Sequence, residues 1–197
     1  MTSPTLVLVH GWGFDESFWA PLMAALPEAR CKTVALGSRQ VVVSGPGPVI
    51  AVGHSLGFLW LLHEQPFAWS ALVAINGFTR FIDGVAPRTL QRMIIGLERA
   101  PEKTVADFMA LCGAEAPERL DVERLRQGLQ WLMDWDAREA LEAETAPVAA
   151  LAGRSDPIVP AAASEAAFKS RLHWRDGGHL LPLTDPDWCA ERIRECL

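Results

Sequence analysis

Residues 49–62 read VIAVGHSLGFLWLL. A short apolar run bounded by glycine is the pattern of a parallel strand buried on both faces, and Leu59, Leu62 and His63 then recur at helical spacing. No polar spacer separates the two segments. A serine between glycines at such a junction fits the G-x-S-x-G nucleophile elbow, a strained strand-to-helix turn that exposes the hydroxyl of Ser55. The same glycines suit a plain strand-helix turn with close packing. The rest of the chain decides between these readings.

Strand signals recur at 5–9 (TLVLV), 32–36 (KTVAL), 49–52, 71–75 (ALVAI), 147–151 (PVAAL) and, more weakly, 171–176 (RLHWRD), with helices expected at 16–26, 56–64, 161–170 and 186–196. This alternation predicts an α/β fold: a mostly parallel sheet of about six strands with helices on both faces. Thr184 and Asp187 are spaced as a capping box for the last helix, with Pro186 near its first turn. Between Gly77 and Pro147 lie about seventy residues without a strand signal, far beyond an ordinary connection. APRTLQRMIIGLERA, TVADFMALCG and VERLRQGLQWLMDW within them carry helical spacing, so 78–144 is expected to be a helical lid inserted in a core made of 1–77 and 145–197. The connection from Leu36 to Val49 is, by contrast, too short for a full crossover helix. Its SGPGP run is not a phosphate loop, since no G-K-[ST] follows.

Half of the 197 residues are hydrophobic, enough for a sizeable core. A net charge of −6 without any basic run argues against nucleic acid as the partner. MTSPTLVLVHG has no positive region before its apolar run and reads as the first core strand rather than a signal peptide. No stretch reaches the roughly 18 apolar residues of a membrane helix. Cys31, Cys112, Cys189 and Cys196 lack C-x-x-C spacing, and Cys189, Ile193, Cys196 and Leu197 share a helical face, as expected of reduced core thiols in a cytoplasmic protein. The five histidines show no metal-binding spacing.

A nucleophilic Ser55 needs a base, an orienting carboxylate for that base and donors for the developing oxyanion. Asp156, in LAGRSDPIVP, and His179, in RDGGHLLPL, each fall just past an expected strand, at the sheet edge where ligands collect. Their order, Ser55, Asp156, His179, is that of α/β-hydrolases. Taken singly, Asp156 is also an ordinary turn residue before Pro157, and His179 also a core histidine; their joint order and placement favour a triad. The oxyanion donors are expected to be the backbone N–H groups of Leu56 and of Trp12 in VHGWGF, with His10 and Gly11 shaping that loop.

With HGWG, GHSLG, GRSDPIVP and GGHLLPLTDP in this order, the chain resembles the α/β-hydrolase superfamily over essentially its whole length. Within it, GLQWLMDWDAREAL, with Gly128, Leu129, Leu132, Asp136, Arg138 and Leu141, and GGHLLPLTDPDWC resemble the pimeloyl-ACP methyl ester esterases of biotin synthesis. His54 stands where that resemblance leads one to expect tryptophan, and Phe58 where it leads one to expect glycine. The resemblance implies hydrolysis of a methyl ester on an acyl chain borne by acyl carrier protein, without a cofactor.

Phe78, Phe81, Met93, Trp131 and Trp135 are the residues expected to line an apolar substrate channel, although aromatics at helical spacing are more often core. Arg88, Arg92 and Arg99 fall within about 40° on one helix face. An acidic carrier protein would need such a patch to dock on this acidic chain; the plainer reading is a solvated face. A broad carboxylesterase or lactonase acting on small esters would share every catalytic residue, and a small-molecule binding protein on this fold would keep the pocket without a reactive serine. A haloalkane dehalogenase would carry aspartate at position 55.

Overall fold

The computed structural model describes residues 3–196. Six strands, β1 (Thr5–Val9), β2 (Arg30–Val34), β3 (Val49–His54), β4 (Ala71–Ile75), β5 (Val148–Gly153) and β6 (Leu172–Arg175), form one sheet in the order β2-β1-β3-β4-β5-β6. Every neighbouring pair is parallel. β1 and β4 are buried at all five positions, which their continuous apolar runs demand once helices cover both faces. The chain leaves β1 outward to β2 and then returns to β3 on the other side. The loops after β1 and β3 therefore diverge and open a crevice at the carboxyl ends of the strands.

α1 (Ala20–Ala24) follows a 3-10 turn at Glu16–Trp19, so the expected helix 16–26 is shorter and tighter at its start, where Asp15 accepts from the Ser17 N–H. α2 (Leu56–Glu64) is buried at seven consecutive positions, Leu56 to Leu62. α3 (Pro87–Arg99), α4 (Pro101–Cys112), α5 (Val122–Asp134) and α6 (Arg138–Ala143) fill the connection from β4 to β5. α7 (Ala161–Phe168), α8 (Leu181–Thr184) and α9 (Pro186–Arg194) complete the chain, with α1 packed against α8 and α9.

Two local expectations are corrected. β2 runs over 30–34, two residues earlier than its apolar letters suggest. It is an edge strand whose exposed Arg30 and Lys32 mask the pattern, and the Ala35–Ser38 turn, with Gly37 at φ 80°, ends it. The Thr184 hydroxyl does not cap α9; it turns back to the Leu180 carbonyl at 3.2 Å within α8. Cys189 and Ile193 do share the buried side of α9, while Leu197 lies outside the described residues.

The short connection after β2 carries neither helix nor strand. Val41 and Val43 turn towards the core and Val42 is 70% exposed. Backbone carbonyls of Val42 and Pro46 accept from the Lys32 ammonium and the Arg30 guanidinium, so β2's own cations hold down the segment that stands in for a crossover helix.

Candidate active site

Ser55 ends β3 and opens α2 with φ 54° and ψ −123°, a conformation few side chains adopt without external restraint. The restraint is visible: its N–H donates to the Ile75 carbonyl at 3.0 Å and its carbonyl accepts from Phe58 at 3.1 Å. Both flanking glycines are steric necessities. A β-carbon at Gly53 would lie 2.4 Å from Phe58 Cα, and one at Gly57 would lie 2.3 Å from the Val9 carbonyl oxygen. The tightness expected of the elbow is thus a contact between α2 and the end of β1.

His179 Nε2 stands 3.1 Å from Ser55 Oγ, and Nδ1 lies 2.8 Å from Asp156 Oδ2. The side chains of His179 and Asp156 are almost completely buried. Asp156 Oδ1 also accepts the N–H groups of Ile158 at 2.7 Å and Val159 at 3.0 Å, and Oδ2 accepts Asn76 Nδ2 at 2.7 Å. Four donors thus hold the carboxylate. Because Nδ1–H points at it, the Nε2 lone pair is left for the serine hydroxyl.

Two supporting residues were not legible as such. Asn76 follows β4 at φ 49° and holds both Asp156 and, at 3.3 Å, the Gly178 carbonyl. The only signal for it is Asn-Gly at the end of a strand, a place where asparagine tolerates positive φ. His54, fully buried and stacked on Phe18 at 4.5 Å, donates from Nε2 to the His179 carbonyl at 2.9 Å. Burial holds it neutral by pushing its pKa well below 6.5, so no second charge sits beside His179. His10, also kept neutral by burial, donates from Nδ1 to the Gly11 carbonyl at 2.9 Å and accepts the Leu36 N–H at 3.3 Å, which ties the loop after β1 to the end of β2.

A cavity of about 120 Å³ opens at Ser55, walled by Trp12, Phe81, Leu90, Met93, Leu129 and Ile158 among others, with no charged side chain in its lining. Phe81 and Met93 are there, as the sequence suggests; Phe78, Trp131 and Trp135 are not. Phe78 is buried behind Phe81, ring centroids 4.8 Å apart, and faces a different groove. Trp131 lies about 200° round α5 from Leu129, so it points away and stacks on Trp135 at 4.6 Å, with His63 on Trp135 at 3.9 Å, beside the 37–42 segment. Leu56 is the first residue of α2, where backbone N–H groups have no intrahelical acceptor, and Trp12 lies across the crevice in the loop after β1. Arg88, Arg92 and Arg99 are all on α3, with no carboxylate pairing with them among the described residues. All three are exposed.

The alpha/beta hydrolase family is matched over residues 28–192, and the chain belongs to that family. Within it, the chain is similar to pimeloyl-[acyl-carrier protein] methyl ester esterases: that of Legionella pneumophila (strain Paris) is 30% identical over 79% of this chain and 77% of the relative. That of Vibrio atlanticus is 27% identical over 96% and 93%. Among solved structures, a lipase-esterase related protein from Clostridium acetobutylicum superimposes with a TM-score of 0.78 at 17% identity, covering 98% of this chain and 94% of the other. The enol-lactonase of Burkholderia xenovorans also scores 0.78, at 14% identity, with 100% and 92% covered. No helix among the described residues is long and apolar enough to cross a membrane.

Proposed function

We propose that this protein is a serine carboxylic-ester hydrolase that cleaves the methyl ester of a pimeloyl-type acyl chain carried by acyl carrier protein, in the cytoplasmic supply of biotin precursors. The observation that carries the chemistry is the Ser55–His179–Asp156 relay, at 3.1 and 2.8 Å, with Ser55 in a strained turn at the mouth of an apolar cavity. The substrate rests on the similarity to the pimeloyl-[acyl-carrier protein] methyl ester esterases of Legionella and Vibrio. All four cysteines are free thiols, as suits a reducing compartment.

In the first step Ser55 Oγ attacks the ester carbonyl and its proton passes to His179 Nε2, while Asp156 holds the imidazole and balances the imidazolium charge. The N–H groups of Leu56 and Trp12 receive the oxyanion. Collapse expels methanol, which takes the proton from His179. Water then repeats the sequence on the acyl-serine and frees the carboxylic acid. No cofactor enters the balance. Helices of 78–144 act as a lid over the core of 1–77 and 145–197, supplying Phe81, Leu90 and Met93 to the wall of the acyl cavity.

Carrier docking is assigned to Arg88, Arg92 and Arg99. α3 places these exposed cations outside the same helix whose Leu90 and Met93 wall the cavity, on a chain of net charge −6 that would otherwise repel an acidic partner. A broad esterase or lactonase would use the same residues and ignore this face.

Ser55→Ala should lower kcat for a p-nitrophenyl ester on the order of a millionfold, and a fluorophosphonate should label Ser55 and no other residue in a peptide map. A loss of only a few-fold would remove Ser55 from the chemistry.

A further inference from the structure

Trp12 does more in this molecule than contribute a backbone N–H. Trp12 is 3% exposed, and its indole reaches into the helical insertion. Nε1–H donates to the Leu125 carbonyl of α5 at 2.8 Å, and the ring meets Phe108 of α4 edge-on, with centroids 4.8 Å apart at 87°. The next residue makes a second contact of this kind: a β-carbon at Gly13, itself at φ 80°, would lie 2.5 Å from Met109 Cε of α4. The turn after β1 is thus pressed against two helices of the insertion.

Gly128 of α5 is the seat of this contact. A β-carbon there would lie 2.7 Å from Trp12 Cδ1, 3.3 Å from its Nε1 and 3.2 Å from Leu56 Cδ2. One glycine therefore rests on the side chains of both residues assigned as oxyanion donors. α3, which carries the exposed arginines, packs against both α4 and α5.

We infer that the Trp12 side chain is a positioning residue: its indole, seated on Gly128 and bonded to Leu125, latches the lid to the oxyanion loop, so that the lid's position sets where the Trp12 N–H points. Helices held in place hold the donor in place, and a partner that steadies α3 steadies it further. The inference rests on the reading of Trp12 as an oxyanion donor. It differs from an ordinary packing role in predicting a change in turnover, since the oxyanion exists only beyond the ground state.

The test measures kcat and KM on a short p-nitrophenyl ester for Trp12→Phe, Gly128→Ala and the double variant. Removing a whole oxyanion donor costs about a hundredfold to a thousandfold, so displacing one should lower kcat about tenfold to a hundredfold in each single variant, with KM within about twofold. Because both substitutions break the same latch, the double variant should lose clearly less kcat than the product of the two single losses. Unchanged kcat in Trp12→Phe, or losses that simply multiply in the double variant, would overturn the latch. Ser55→Ala in parallel separates the two levels: if it abolishes turnover while Trp12→Phe does nothing, the ester-hydrolase reading survives and the latch does not. Should Gly128→Ala fail to fold, Trp12→Phe alone decides: a kcat loss of about tenfold or more at little-changed KM supports the latch, and a normal kcat contradicts it.

Discussion

The carboxyl edge of the sheet and the helical segment above it are built by different means. At the edge, position is set by directional bonds and hard contacts: four donors on Asp156, a serine held at φ 54°, and glycines with no room for a β-carbon. In the helical segment, position is set by which apolar face turns inward, and the cavity wall made by Leu90, Met93 and Leu129 carries no charged group at all. Hydrogen bonds and steric exclusions specify atoms, whereas burial specifies only a face. Changes at the edge should therefore act on turnover, and changes on the insertion's outer face should act on which substrate is presented.

The sharpest contrast is expected at Asp156. Asp156→Asn should lower kcat about ten-thousandfold through the wrong imidazole tautomer, with the melting temperature little changed; a loss below about tenfold would break the comparison on the edge side. Asn76→Ala, which strips one donor from that carboxylate, should cost about tenfold to a hundredfold in kcat, measurable on any small ester. On the other side, neutralising Arg88, Arg92 and Arg99 together should raise KM for a carrier-bound ester about tenfold and leave a p-nitrophenyl ester unchanged. Equal effects on both substrates would show that the helix face acts on the chemistry and not on presentation.

The smallest effect is on stability. Burial lowers the pKa of His54 and His10 in the folded chain, so the unfolded state binds more protons below its ordinary value of 6.5. Between that value and about pH 8 stability should be flat, and below it stability should fall, by up to about 1.4 kcal/mol per pH unit for each histidine. Urea midpoints from about pH 8 to pH 5 check this, and His54→Gln should reduce the slope.

How much of each region could be read from the letters follows from the same contrast. GHSLG, Asp156 and His179 were legible because a strained turn needs glycines and because strand ends are marked by apolar runs that stop. β2 was misplaced by two residues because an edge strand tolerates Arg30 and Lys32 on its open side. Asn76 left only a faint mark, since an asparagine after a strand has many uses. Trp131 and Trp135 were legible as apolar and helical, but helical spacing does not say which side of α5 meets the cavity, and both stack outside it with His63. Trp12 was placed through its backbone, while its partners Leu125 and Gly128 lie more than a hundred residues away and share no local pattern with it.

The most direct measurement compares hydrolysis of a pimeloyl methyl ester on acyl carrier protein with that of a small p-nitrophenyl ester, each by the wild-type protein and by Ser55→Ala. A strong preference for the carrier-bound ester, abolished by Ser55→Ala, is the expected result. Turnover of the small ester alone would contradict carrier-dependent hydrolysis and leave a general esterase, and turnover that survives Ser55→Ala would contradict the site itself.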